Sequence, residues 1–455
     1  MEINGKVSLK TEKPYTRHLL TQSFGEGSEA VSEILLPEEW NGIFIGRGNG
    51  GLAGRLDHEL LVRYAQEGYA VAQSDMGTAN GRARGIGCSE VHKDFGWRAT
   101  HEMTVAAKAL IKEKYGRDPL YSYFIGASTG GQQSLMLAQR YPEDYDGIIA
   151  GVPANNRVFL HTYFLWNHNA LVSPEGKPSF DEAEVSCITE CAVRFFQQNG
   201  DGQKGDDFIT FPWLGDDTVG RFIDFLRSEN RFTEDQLSAL YKVYDGAKDP
   251  KSGRRIYNGM PIGSEKFGCG IMHCQREEAP HYYPFVWTFG EGYNGDGFDF
   301  SDDLASVDKL LSGELNASSC DLTAFESRGG KLIVFSGSAD PCVPYPDAIR
   351  YCERVNAFHC GYEKTGEFFR YFLLPGRDHG VGGDGANAES KEPGGRWDLL
   401  DALRDWREKG EAPEYLTAKR YENGELKWSR RVYPYLSENF PKRELPPTCD
   451  ETFLK

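Results

Sequence analysis

The sequence predicts an α/β fold, a mostly parallel sheet covered by helices and broken by one long insertion, and three observations predict it. Runs rich in aromatic and branched residues alternate with helix-period runs from Trp40 to Pro153. The rhythm is lost from about residue 155 to 329. It returns with Lys331-Leu-Ile-Val-Phe335, an apolar run of the kind a parallel sheet buries on both faces.

Residues 1–35 read as β-rich, with SEAVSEILLP as a short alternating strand. WNGIFIGRGNGGLAG, Trp40 to Gly54, is a buried strand (Ile43, Phe44, Ile45) that runs into a loop with glycines at 46, 48, 50, 51 and 54. Such a loop lets backbone N–H groups gather around an anion. The phosphate-binding pattern G-x-x-x-x-G-K-[ST] is absent. His58 to Gln66 has a helix pattern and Tyr69 to Gln73 is the next strand. Phe95 to Tyr115 places Met103, Ala106, Ala107, Leu110 and Ile111 on one face of a long helix, in which His101 reads as a packing residue.

The central stretch is LYSYFIGASTGGQQSLMLAQRYPEDYDGIIAGVP, Leu120 to Pro153: strand, tight turn, helix, strand. Gly126-Ala127-Ser128-Thr129-Gly130 is a G-x-S-x-G turn, which occurs once in the chain. In this context it puts a serine on a strained turn with its Oγ exposed, and the bland alternative is a helix N-cap. The α/β-hydrolase arrangement supplies an oxyanion hole from the residue after such a nucleophile and from the loop after an early strand. Here those are Thr129 and the Gly50-Gly51 segment.

The insertion is rich in aromatics, among them Phe159, Tyr163, Phe164, Trp166, Trp213, Tyr282, Tyr283, Phe285, Trp287 and Phe289. Most must form its own core, but an aromatic lid over a nucleophile also points to a bulky, planar substrate. Within it, Asn199-Gly-Asp201-Gly-Gln-Lys-Gly-Asp206-Asp207 resembles an oxygen-ligand calcium loop without the bidentate Glu of an EF-hand. Asp201 and Asp206 are its candidate ligands, and a solvated turn is the alternative. The ten cysteines show no metal-site spacing, since Cys269 and Cys274 in CGIMHC lack a second pair at zinc-finger distance. They read as small buried hydrophobes, with any pairing left open.

After Lys331–Phe335 comes Ser336-Gly-Ser-Ala-Asp340-Pro341, an acid just past a late strand. Phe368 to Leu374 is another strand, and PGRDHGVGG places His379 in the loop that follows, 39 residues beyond Asp340. Ser128, Asp340 and His379 stand in the chain order of a hydrolase triad. Asp378 and Asp347 are rival acids. Adjacency to His379 makes a side-on bond from Asp378 awkward, and Asp347 falls in a helix pattern. A last helix from Trp397 to Lys409 and a Pro-rich acidic tail complete the reading. The expected organisation is an α/β-hydrolase core over 1–154 and 330–455 with an inserted lid domain over 155–329.

With 39% hydrophobic residues the chain can bury a large core. A net charge of -17, with no Lys/Arg-rich run, argues against nucleic acid and anionic membrane surfaces as partners. No apolar stretch reaches the ~18 residues of a spanning helix, and the first residues lack the apolar core of a secretory signal. The expectation is a soluble, cytoplasmic protein.

Taken as blocks, WNGIFIGRGNGGLAG, DFGWRATHEMTVAAKALI, YFIGASTGGQQSLMLAQRYPEDYDGIIAGVPA, SGSADPCVP, FLLPGRDHGVGG and ALRDWREKGEAP resemble the tannase/feruloyl esterase family of α/β-hydrolases across almost the whole chain. The resemblance implies a serine carboxylic-ester hydrolase that cleaves small-molecule esters of phenolic acids, galloyl or feruloyl in type, with no required cofactor. It implies Ser128 as nucleophile, His379 as base, Asp340 as orienting acid, and Thr129 and Gly51 N–H groups as the oxyanion hole. Two departures stand out. Secreted members typically join a cysteine before the nucleophile to one after the histidine, and here those positions are Ala127 and Gly380. Many members carry D-G-V-x-D-G in the lid where this chain has DGQKGDD, so structural calcium stays open. The alternative activity is an esterase or transacylase acting on non-phenolic acyl groups.

Overall fold

Strands form where branched and aromatic residues run together, and in the computed structural model eight such runs join one sheet. The structure describes residues 13–79, 81–203, 205–276, 283–390, 399–438, 446–448 and 450. The strands are β1 (Tyr15–Gln22), β2 (Ala30–Pro37), β3 (Ile43–Arg47), β4 (Ala70–Ser74), β5 (Tyr121–Ala127), β6 (Gly147–Gly151), β7 (Lys331–Gly337) and β8 (Phe369–Leu374), in the order β1-β2-β4-β3-β5-β6-β7-β8. β2 pairs antiparallel with β1 and β4, and every pair from β4 to β8 is parallel. This is the α/β-hydrolase fold expected from the sequence.

Because neighbouring residues on a strand face opposite ways, the same strands feed two cores. Ile45, Val71, Tyr123, Ile149 and Ile333 pack on one face under α1 (His58–Gln66), with Leu400, Leu403 and Trp406 beside them. Phe44, Ala72, Phe124, Ile148 and Val334 pack on the other. There, after the short α2 (Ser89–Lys93), they meet Met103, Ala107 and Ile111 of α3 (Ala99–Tyr115) and Leu135 to Ala138 of α4 (Thr129–Arg140).

The chain between β6 and β7 is helical, and among the described residues it adds no strand to the sheet. It holds α5 (Arg157–Leu171), α6 (Glu182–Gln198), α7 (Thr218–Ser228), α8 (Glu234–Asp245), α9 (Ile271–Cys274), α10 (Tyr283–Phe289) and shorter turns up to Thr323–Ser327. α6 and α8 start in capping boxes, Asp181 with Glu184 and Thr233 with Gln236. Phe159, Tyr163, Phe164, Trp213, Tyr283, Phe285 and Trp287 are buried in the same cluster as the sheet face carrying Phe44 and Phe124. These rings are thus largely core, and Tyr282 lies outside the described residues.

Two sequence readings change and a third is seen only in part. β2 does not alternate: it is buried almost throughout, because Leu35 enters one core while Ile34 and Leu36 enter the other. The last helix is seen as Leu400–Arg404 continued by a turn over Asp405–Lys409; its expected start at Trp397 lies outside the described residues. In place of a plain tail, β9 (Ala388–Ser390), β10 (Leu416–Glu422) and β11 (Glu425–Val432) form a second, antiparallel sheet. Its hairpin turns on Asn423 and Gly424, with φ of 51° and 83°, the left-handed pair that favours Asn-Gly. No helix among the described residues is long and apolar enough to cross a membrane.

Candidate active site

β5 ends at Ala127 and α4 starts at Thr129, which leaves Ser128 alone on the turn between them. Its φ of 62° and ψ of −118° are costly for a residue with a side chain. The turn is held by Ser128 N, which donates to Gly151 O at 3.0 Å, and by Ser128 O, which accepts from Gln132 N and Ala154 N, both at 3.1 Å. A Cβ on Gly126 would stand 2.2 Å from the carbonyl oxygen of Gly130. The glycine before the serine is therefore a requirement of strand–helix contact. Ser128 is half-buried, and its Oγ forms no hydrogen bond among the described residues.

The glycine-rich loop after β3 is laced to α4. Gly130 N donates to Asn49 O at 2.7 Å and Asn49 N to Gln133 Oε1 at 2.8 Å. Thr129 Oγ1 donates to Gly51 O at 2.6 Å. As the first residue of α4, Thr129 has an N–H with no acceptor inside the helix. Among the described residues the N–H groups of Gly50 and Gly51 also lack an acceptor. Donors from both expected segments thus remain available for a developing oxyanion. Gln133 escaped the sequence reading; the available signal was a polar residue amid the apolar pattern of α4, where it is 1% exposed.

The loops after β7 and β8 carry the other two residues. His379 Nδ1 lies 2.8 Å from Asp340 Oδ2. Asp340 is fully buried, and its Oδ1 accepts from Cys342 N at 2.8 Å and Val343 N at 2.9 Å. The two loops are zipped: Ser338 N donates to Leu374 O, Ala339 N to Arg377 O (both 3.0 Å), and Gly376 N to Ser338 Oγ at 2.7 Å. Burial works to lower the His379 pKa, but the charge and hydrogen bond of Asp340 outweigh it and the net shift is upward.

Both rival acids are committed elsewhere. Asp378 Oδ1 accepts from Gly380 N at 2.8 Å and Gly382 N at 3.1 Å, closing its own loop. Asp347 lies in the helix Tyr345–Phe358, fully enclosed in the core, and burial pushes its carboxyl up to about 6. His101 pairs with Asp144 and stacks on Tyr141 at 3.6 Å, a packing role. Ser128, Asp340 and His379 all stand at the carboxyl edge of the parallel strands, with β6 between the serine strand and β7. His379 and Asp340 are in direct contact, whereas no hydrogen bond joins Ser128 to His379 among the described residues.

The calcium-like loop is built differently from a cation cage. Asp201 accepts from Thr210 N at 2.7 Å and Phe211 N at 3.1 Å. Asp206 pairs with both terminal nitrogens of Arg430, one at 2.8 Å, and accepts from Gln203 N at 2.8 Å. A guanidinium already neutralises Asp206, so these donors do not fit a calcium ion. Among the described residues no group of three or more His, Cys, Asp or Glu side chains is placed to hold a metal.

A model of the family described as tannase and feruloyl esterase matches residues 26–278 and 294–442. The chain is 29% identical to feruloyl esterase B of Aspergillus niger over 453 residues, covering 95% of this chain and 85% of that one. Feruloyl esterase B from Aspergillus oryzae superposes with a TM-score of 0.81 at 23% identity, over 93% of this chain and 87% of its own. Tannin acyl hydrolase from Aspergillus niger gives 0.74 at 21%, over 97% and 87%. Below 25% identity these two superpositions speak for the fold.

Proposed function

The chain belongs to the tannase and feruloyl esterase family, and from that membership we propose a serine esterase that cleaves esters of phenolic acids, galloyl or feruloyl in type, through an acyl-enzyme. The observation that supports this most is the 2.8 Å bond between His379 Nδ1 and buried Asp340, on the strand edge that also carries Ser128. Asp340 fixes the tautomer with the proton on Nδ1, which leaves Nε2 as a base.

His379 takes the Ser128 proton as Oγ attacks the ester carbonyl, then passes it to the departing alcohol. A water deprotonated by the same imidazole cleaves the acyl-enzyme and restores the serine. The N–H groups of Thr129 and Gly51 receive the oxyanion; one such donor is worth roughly 3 kcal/mol in a protease of known behaviour. No step passes through a cofactor or cation. Residues 155–329 serve as a lid between two parts of the core, 1–154 and 330–455, and supply the apolar wall for an aromatic acyl group.

The deciding experiment is release of free acid from methyl gallate and methyl ferulate by the protein and by Ser128→Ala. Cleavage that disappears in the variant supports the assignment, and the ratio of the two rates chooses the acyl group. Silence on both esters would overturn the phenolic-ester reading and favour other acyl substrates.

A further inference from the structure

Two neighbouring cysteines of the insertion, Cys269 and Cys274, meet a third that is distant in sequence, Cys342, against the acid loop. Cys342 is two residues beyond Asp340 and buried, and its thiol is in hydrogen-bonding contact with Cys269 of the insertion. Cys269 is half-buried and packs against the core that contains Cys342 and Cys274. The Cys274 thiol, at the end of α9, points instead at the backbone carbonyl of Cys269, 3.6 Å away. Tyr163 seals the cluster with a hydrogen bond to Pro341 O at 2.8 Å. The trio is not arranged as a metal site.

We propose that Cys269 and Cys342 form a thiol–disulfide exchange site for low-molecular-weight disulfides, and that the bond they form ties the insertion to the Asp340 loop and slows ester cleavage. The roles follow from exposure. Half-buried Cys269 is reachable and attacks the incoming disulfide as its thiolate, making a mixed disulfide and releasing one small thiol. Cys342 then attacks the Cys269 sulfur, its proton leaving on the second small thiol. Two protein thiols and one small disulfide become one protein disulfide and two small thiols, so electrons and protons balance. Its contact with Cys269, and then burial, hold the Cys342 proton tightly, which suits it as the resolving rather than the first-attacking sulfur.

The link to activity is mechanical. Bond formation draws the two sulfurs to about 2.05 Å. Cys342 N is one of the two N–H groups that hold Asp340 Oδ1, so displacing residue 342 displaces the carboxylate that orients His379. Misplacement of a catalytic group by ~1 Å can cost on the order of 100-fold in rate. The effect on cleavage rests on the roles proposed for Asp340 and His379, whereas formation of the bond does not.

The test treats the full chain with oxidised or reduced glutathione, maps disulfides by peptide mass, and measures methyl ferulate or methyl gallate cleavage. The expected result is a peptide joining Cys269 to Cys342, a kcat lowered roughly threefold or more, and recovery with dithiothreitol. Cys269→Ser should keep the basal kcat and ignore the oxidant. Cys342→Ser should form no cross-link and show one kcat with and without oxidant, its melting curve separating loss of the thiol from loss of the fold. Absence of the cross-linked peptide, an unchanged kcat in fully cross-linked protein, or equal inhibition of Cys269→Ser would each overturn the proposal. A cross-link formed in a protein that cleaves neither ester would overturn the functional reading and leave the exchange site standing.

Discussion

Thr129 Oγ1 donates to the carbonyl of Gly51 at 2.6 Å, a bond that spans the two segments assigned to the oxyanion hole. Thr129→Val keeps the shape and removes the bond. The direct loss is about 1 kcal/mol, and loosening one oxyanion donor adds up to roughly 3 kcal/mol to the barrier. We expect kcat to fall about 10- to 100-fold with KM nearly unchanged, since the bond matters most when charge develops on the carbonyl. Steady-state kinetics on methyl ferulate decide it; a valine variant with normal kcat would detach this bond from catalysis.

Asp340→Asn should lower kcat by about three to four orders of magnitude, the scale of the equivalent change in a serine protease. It should also move the acid limb of the pH profile. In the native protein the Asp340 carboxylate raises the His379 pKa, so the active, neutral imidazole is lost at a higher pH than for an ordinary histidine. Without that charge, burial is left to pull the pKa down, and the acid limb shifts to lower pH. The profile of kcat/KM for both proteins reads the shift; an identical acid limb would contradict the coupling.

Much of this arrangement was legible in the chain. Ser128, Asp340 and His379 each follow a short strand, and their order and turn chemistry are local features. What was not legible is either two-sided or distant. β2 looked alternating because Ser32 and Glu33 are polar, yet both are buried. The Asn423-Gly424 hairpin was signalled and overlooked behind an apparently irregular tail. No local pattern could bring Arg430 to Asp206 or Cys269 to Cys342, since these contacts depend on how the insertion and β11 close onto the strand ends.

The Asp206–Arg430 pair gives the loop over residues 199–207 an internal counter-charge. Burial raises the Asp206 pKa, but the Arg430 hydrogen bond and charge more than offset it, and the net shift is downward. Its contribution is therefore present above the ordinary carboxyl value and lost as pH falls through the depressed one. Arg430→Ala leaves a buried carboxylate unpaired and should cost about 3 kcal/mol. Chelation with EDTA, or added calcium, should leave the melting temperature of the native protein unchanged. A rise in Tm with calcium would show that the loop accepts a cation despite the guanidinium.

Gly126→Ala places a methyl group 2.2 Å from the Gly130 carbonyl oxygen, and both sides of that contact are backbone. Neither strand nor helix can yield without moving Ser128. Overpacking of this kind costs about 1–3 kcal/mol, and the loss of activity should exceed what reduced stability alone produces. Urea unfolding beside kcat at 25 °C separates the two effects. Full activity in a folded alanine variant would mean that the turn has more slack than the contact distance allows.

Asp347→Asn tests the choice of acid from the opposite side. Asp347 is buried with its carboxyl pushed up to about 6, so the folded state binds its proton more tightly than the unfolded chain does. That contribution to stability is complete below the ordinary carboxyl value and is lost as pH rises through about 6, which makes the ionised carboxylate a burden near neutrality. A neutral amide of the same size relieves it. We expect a variant more stable than the native protein at pH 8, by up to about 3 kcal/mol, with that advantage shrinking toward pH 4. Its kcat should stay within about threefold of native, because His379 donates its Nδ1 hydrogen bond to Asp340. Urea unfolding at the two pH values and one turnover assay check both halves, and a collapse of kcat comparable to that of Asp340→Asn would make Asp347 the acid that orients His379.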